Sequence, residues 1–172
     1  MICSLCMQKE GKLFENMRAL YCDECFDARK ASWGTVSEII PGLFISGMRE
    51  AEIWEFGPRI CVHEDGPTYD MLRDCSAFIP ILDKPPNSHQ DRTGAVASIK
   101  ALNQVSQHIH TLLIRQIPVL VHCWGGVERS PLAVAWFLVG YGYEDSLSDA
   151  YAFLKSKRPV VSDRTFWLPG KL

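Results

Sequence analysis

An α/β fold, with a central, mainly parallel sheet flanked by helices, is predicted by three features of the sequence. From Trp33 onward, short apolar strands alternate with longer amphipathic stretches. Val119–His122 is apolar without alternation, the pattern of a strand buried on both faces. Across residues 95–115 the apolar positions Ile99, Leu102, Val105, Ile109, Leu112 and Leu113 recur mostly at intervals of three and four, which predicts a helix.

The other elements follow in chain order. Pro41 and Gly42 signal a turn before a short strand over residues 42–46. A helical stretch around residues 50–55 precedes a strand over 59–63, and residues 77–82 read as the next strand. After Gly125 and Gly126, Pro131 to Val139 is apolar all round and reads as a buried helix. Ser146 with Asp149 forms a capping-box signal that opens a last helix through Leu154.

Composition narrows the class of protein. The 172-residue chain is 47% hydrophobic and 22% charged, which excludes collagen-like, low-complexity and disordered readings. Its formal net charge of −2 leaves no broad basic surface for nucleic acid. The longest apolar run, Pro131 to Val139, is about half of what spans a bilayer, so no membrane contact is expected. Lys9, Glu10, Lys12 and Glu15 interrupt the only segment that could host an export signal, so the expectation is a cytoplasmic, monomer-sized protein.

Seven cysteines are distributed unevenly, and their odd number argues against a disulfide scaffold. Cys3-x2-Cys6 and Cys22-x2-Cys25 stand 15 residues apart, a spacing at which two thiolate hooks can close a tetrahedral shell around a structural zinc ion. Such a closed shell has no open position for catalysis. The first thirty residues hold few apolar side chains, so metal binding is expected to supply their folding energy. The polar, unpatterned run Ala28-Arg29-Lys30-Ala31-Ser32 marks the boundary between this module, residues 1–32, and an α/β domain, residues 33–172. The module is expected to pack on that domain or to recruit a protein partner. Cys61 and Cys75 read as buried fillers.

The chemistry is written between Val119 and Ser130. A buried strand runs into a short loop that feeds a helix, with Pro131 in the first helical turn, where its missing N–H would have had no partner. Gly125 and Gly126 let successive N–H groups converge on one point, and the helix N-terminus adds its positive dipole end. A tetrahedral dianion fits this cradle of residues Trp124, Gly125, Gly126, Val127, Glu128 and Arg129. Arg129 offers a planar fork for two phosphoryl oxygens. Cys123 lies at the base, where helix termini and cations depress a thiol pKa by roughly one to five units. One environment thus binds phosphate and ionises the nucleophile. Glu128 would repel a dianion if it pointed inward, so it is expected to face solvent or pair with a cation. Trp124 is placed to line the pocket wall.

The segment HCWGGVERS resembles the His-Cys-x5-Arg-Ser/Thr signature of cysteine-based protein phosphatases. Residues 40–47 are similar to the opening strand of dual-specificity phosphatases, IPILD over 79–83 to their general-acid loop, and residues 150–159 to their late helix. The resemblance covers about residues 36–172. It implies a dual-specificity phosphatase-like domain that hydrolyses phosphomonoesters through a phosphocysteine on Cys123, with no cofactor for catalysis. Arg129 and the loop amides would stabilise the equatorial oxygens, Ser130 would hydrogen-bond the sulfur, and His122 would orient the loop from behind. Phosphorylated proteins or small phosphoesters would be the substrates.

For the general acid, Asp83 matches the family string at the end of a strand, whereas Asp91, 32 residues before Cys123, matches the usual separation. Asp83 is preferred because strand ends position side chains better than loop tips do. His63, His89, His108 and His110 form no recognisable constellation. A rival reading is a phosphate-binding pseudophosphatase in which Glu128 blunts turnover and the zinc segment recruits partners. A rhodanese-like sulfurtransferase fits less well, because Arg129-Ser130 closes the loop in the phosphate-binding pattern.

Overall fold

The computed structural model describes residues 1–14, 19–71 and 76–170. Cys75 lies outside them. The N-terminal segment opens with a two-residue hairpin, β1 (Lys12–Leu13) against β2 (Leu20–Tyr21), followed by helix α1 (Asp23–Ala31). Residues 28–31, expected to be an unpatterned join, are instead the last turn of α1. Their polar side chains reflect a helix with no fully buried residue, not a linker.

The main sheet has the order β3–β4–β9–β5–β6. Here β3 is Ser37–Ile40, β4 Leu43–Ser46, β5 Arg59–Cys61, β6 Ala77–Phe78 and β9 Val119–His122. β9 is central and parallel to both β4 and β5, and all four of its residues are buried, as its unbroken apolar run predicts. β5 and β6 are also parallel. Within this sheet, among the described residues, the antiparallel pair is β3–β4, a hairpin turned at Gly42 with φ 85°. β3 was not foreseen, being only four residues with a mixed burial pattern.

Two elements depart from expectation. Residues 77–82 are not one strand: Pro80 has no N–H for the ladder, and pairing with β5 ends after Ile79 N–H donates to Cys61 O (2.9 Å). The chain then enters β7 (Leu82–Lys84), which pairs with β8 (Val96–Ala97) in a separate two-stranded sheet. The long helix α3 therefore begins late, at Ile99–Ile114, where the Ser98 side chain caps it by accepting from the Ala101 N–H.

Helix α2 (Met48–Glu52) follows β4, and α4 (Arg129–Gly140) follows the loop after β9. α5 is Leu147–Lys157, with Ser146 accepting from the Asp149 N–H as the capping box requires. The core joins the inward faces of α3, α4 and α5 to the sheet, with Leu43, Ile45, Ile60, Val121, Leu102, Ile109, Leu132 and Phe137 essentially inaccessible. A smaller cluster links Cys3, Leu5 and Cys22 of the N-terminal segment to Val127 and Val160. Those contacts place the segment against the loop that follows β9.

Candidate active site

The backbone between β9 and α4 turns its oxygens outward. Trp124 O accepts from Met48 N–H (3.0 Å), Val127 O from Ser162 N–H (2.9 Å) and Glu128 O from Leu132 N–H (3.0 Å). Gly125 O accepts from Arg29 Nη1 (2.9 Å), and Gly126 O from Arg158 Nε (2.9 Å). Because C=O and the next N–H point oppositely across a planar trans peptide, the amides of residues 125–129 face inward. Gly126 has φ 64°, and a Cβ there would stand 2.5 Å from Ser46 O. The loop can close only on glycine at this position.

Cys123, 2% exposed, sits beneath those amides. Its Sγ is 3.3 Å from Ser130 Oγ, and the N–H groups of Val127 and Ser130 also reach it. Burial alone would push the thiol up, but the Arg129 guanidinium and these hydrogen bonds outweigh it and hold the thiol below its ordinary range. Arg129 faces the same cavity, its Nε donating to Glu64 Oε1 (2.9 Å). Buried His122 is pushed down to about 4, mainly by desolvation, and so is neutral at physiological pH. Its Nδ1 lies 3.4 Å from Cys123 O and its Nε2 2.6 Å from Tyr69 Oη, an arrangement that steadies the loop from behind.

Glu128 does not face solvent. Its carboxylate accepts from Arg92 Nε (2.8 Å), from Arg92 Nη2 and from Arg164 Nε (2.9 Å), and its side chain is only 15% exposed. Pairing with cations is the half of the expectation that holds. Trp124 lines the cavity mouth at 63% exposure, tilted against His63.

The cavity holds about 570 Å³. Its carboxylates are Asp65 and Glu128; Asp83 and Asp91 are both exposed and neither lines it. Asp91 is tied into its own turn by the Thr93 N–H, the Thr93 hydroxyl and Asn87 Nδ2. The same loop nevertheless reaches the site, since His89 and Arg92 line the cavity and Gln90 O accepts from Ser4 Oγ (3.3 Å). His63 and His89, which form no pattern in the sequence, thus meet at the pocket. His63, Glu64 and Asp65 were missed as a group, although they follow β5 at the carboxyl end of a parallel sheet, where ligands bind in open α/β folds.

Ser4, Leu5, Ala19, Tyr21 and Arg29 complete the wall, all from the N-terminal segment. Behind them the ligand atoms of Cys3, Cys6, Cys22 and Cys25 lie within 4.8 Å of one another. A tetrahedral zinc–thiolate shell has sulfur–sulfur edges of about 3.8 Å, so these residues fit a zinc ion with little adjustment. Among the described residues no other His, Cys, Asp or Glu group has this arrangement.

A cysteine beneath inward-facing amides and a guanidinium, on a strand–loop–helix of a parallel sheet, is an arrangement suited to a tetrahedral dianion. Residues 77–168 match the family model of the dual specificity phosphatase catalytic domain, and the chain belongs to that family. Dual specificity protein phosphatase 18 of Rattus norvegicus is 31% identical over 90 residues, which are 52% of this chain and 39% of that protein. Protein tyrosine phosphatase PRL-1 of Leishmania major is 33% identical over 122 residues, 66% of each chain. The chain spans less than half the length of the dual specificity relatives it matches. Among solved structures, human DUSP28 superposes with a TM-score of 0.62 at 19% identity, covering 77% of this chain and 90% of that one. The human tyrosine phosphatase-like serine/threonine/tyrosine-interacting protein superposes with a TM-score of 0.61 at 16% identity, covering 77% and 89%. Both share the fold.

Proposed function

We propose that this chain is a phosphomonoesterase of the tyrosine/dual-specificity type, acting on phosphorylated proteins through a phosphocysteine on Cys123. The observation that carries the reading is the sulfur of Cys123 under the Val127 and Ser130 amides, beside Arg129, with the loop carbonyls held outward. The names of the relatives, protein tyrosine phosphatase and dual specificity protein phosphatase, favour the same substrate class. In the first step the thiolate attacks phosphorus, the P–O ester bond breaks and the leaving oxygen takes a proton from a carboxylic acid. Water then attacks the phosphocysteine, the P–S bond breaks, inorganic phosphate leaves and the acid recovers its proton. Arg129 and the loop amides bind the equatorial oxygens, and the Ser130 hydroxyl eases departure of the sulfur. Rapid acid quench of an aryl phosphate reaction should trap phosphate on Cys123; turnover with no such adduct would remove the reading. The pseudophosphatase alternative relied on Glu128 repelling substrate, but that charge is already compensated by Arg92 and Arg164.

The general acid is assigned to Asp83, with Asp91 as the alternative. Asp83 lies in β7 and Asp91 in the loop that follows it, the same loop that brings His89 and Arg92 to the cavity. Asp65 joins them on its position in the cavity wall, with its carboxylate 3.8 Å from His63 Nδ1. Asn substitution at the true acid should lower kcat/KM for phenyl phosphate about 10²–10³-fold and flatten the basic limb of the pH profile. With p-nitrophenyl phosphate, whose leaving group needs little protonation, the loss should be much smaller. If all three single variants keep wild-type rates on phenyl phosphate, the acid lies elsewhere.

Residues 1–32 are proposed as a zinc-binding module and 33–172 as the catalytic domain, the metal being structural and outside the chemistry. Cys3, Cys6, Cys22 and Cys25 would hold the ion. Purified protein should carry stoichiometric zinc and expose four additional titratable thiols on chelation; metal-free protein with those thiols already reactive would overturn the assignment. No helix among the described residues is long and apolar enough to cross a membrane, and a cytoplasmic location belongs to the same reading.

A further inference from the structure

The N-terminal module does more than lean on the catalytic domain. Its helix α1 begins at the Cys22–Cys25 hook and carries Arg29 one turn further on, where Nη1 donates to Gly125 O at 2.9 Å. Gly125 has no positive φ that demands glycine. A Cβ at this position would meet Arg29 Nη2 at 2.6 Å, Nη1 at 2.8 Å and Cζ at 2.9 Å, its three nearest atoms. The guanidinium therefore occupies the space that a side chain on the phosphate loop would fill. On the other side, Arg158 Nη2 reaches the same carbonyl at 3.4 Å while its Nε holds Gly126 O. The two arginines clamp consecutive loop carbonyls from outside, and only Arg29 belongs to the four-cysteine module.

The clamp has a chemical consequence. A carbonyl fixed outward by a cation fixes the following N–H inward, so Arg29 acts on the Gly126 amide and Arg158 on that of Val127, which reaches the Cys123 sulfur. Among the described residues no carboxylate forms an ion pair with Arg29, and its guanidinium polarises the peptide whose oxygen it holds. A second link joins the same two parts. Arg164, 1% exposed, donates to Ser4 O and to Leu5 O (3.3 Å) of the module while also holding Glu128.

We infer that Arg29 is a positioning residue for the phosphate loop, supplied by the four-cysteine module, so that the module is a working part of the active site. The inference rests on the phosphatase reading above. Arg29 holds the outward carbonyl of Gly125 at the cavity wall and is not assigned a contact with the reacting atoms.

The test is a double-mutant cycle on full-length, metal-loaded protein, read with p-nitrophenyl phosphate turnover and with inorganic phosphate as a competitive inhibitor. Arg29→Ala should lower kcat/KM about ten- to a hundredfold, the scale of a slightly misplaced site, and weaken phosphate inhibition in parallel. Zinc content and Tm should stay at wild-type values. Arg29→Lys, which keeps the charge but not the fork, should recover part of the loss. Gly125→Ala, approached from the loop side, should cost about as much as Arg29→Ala in the wild-type background and little more once Arg29 is gone, because the group it collides with has been removed. Full activity and full phosphate affinity in folded Arg29→Ala would overturn the inference, as would losses that simply multiply in the double variant. A wild-type protein with no turnover would instead strike at the phosphatase reading, which keeps the two failures apart.

Discussion

Replacing Cys123 with serine should abolish turnover while leaving phosphate binding intact. Removal of the nucleophile is expected to cost on the order of 10⁴–10⁶ in kcat, as when a covalent catalyst loses its attacking atom. The reason lies in ionisation. Burial would raise the Cys123 thiol, but Arg129 and the loop hydrogen bonds outweigh it and hold it below its ordinary range, which favours the thiolate. An alkanol starts several units higher than a thiol, and the same donors cannot bring it into that range. The binding half of the site is unaffected, since the inward amides and Arg129 do not depend on sulfur. Removing a negative charge from beneath the phosphoryl group should strengthen the affinity for a phosphotyrosine peptide, measured by calorimetry on Cys123→Ser. Residual turnover within tenfold of wild type would mean that another group attacks phosphorus. Loss of phosphate affinity in a folded variant would mean that the loop is organised by the thiolate and not by its outer donors.

The parts of this site that could be read from the sequence are those whose cause is local. Strand, glycines, arginine and helix are contiguous from Val119 to Gly140, so each residue's conformational preference and its neighbours' chemistry point to one structure. The Ser146 cap is legible for the same reason. Pro80 carries a legible signal too: a proline inside an apolar run has no N–H for the ladder and divides residues 77–82 into two strands. The helix predicted over residues 95–115 starts only at Ile99, because Ala95, Val96 and Ala97 suit either element and the pairing of Val96–Ala97 with β7 decides. What could not be read are the charges that hold the loop. Arg29 meets Gly125 across 96 positions, Arg92 meets Glu128 across 36, and Arg164 meets Ser4 across 160. A lone arginine in a sequence has no periodicity to announce its partner. Glu128 was noticed as an anomaly, and the anomaly was real, but its partners depend on how distant loops pack.

Those partners make Glu128→Gln the substitution with the largest expected effect on stability. The carboxylate is the common anion of Arg92 and Arg164, whose side chains are 7% and 1% exposed, and it also lies 3.8 Å from Arg129 Nη1. Neutralising it leaves buried guanidinium charge without its counter-ion, and breaking such a group by removing one partner costs about 3–5 kcal/mol. For a domain of this size that corresponds to a fall in Tm of roughly 6–20 °C. The effect should reach the N-terminal module, because Arg164 also holds Ser4 O and Leu5 O, so zinc loaded on the proposed four-cysteine site should be lost to chelators faster in the variant than in wild type. The pH dependence has a definite sign. The arginines hold Glu128 below its ordinary carboxylate range, so its contribution is fully present above the unfolded-state value near 4.5 and is lost as pH falls through the depressed folded value. The stability gap between wild type and Glu128→Gln, measured by urea denaturation, should therefore be wide at neutral pH and shrink as pH drops below that range. Were Glu128 a solvated carboxylate, the substitution would cost less than about 0.5 kcal/mol at any pH; a gap that small at neutral pH would disprove the buried cluster and, with it, the link between the module and the phosphate loop.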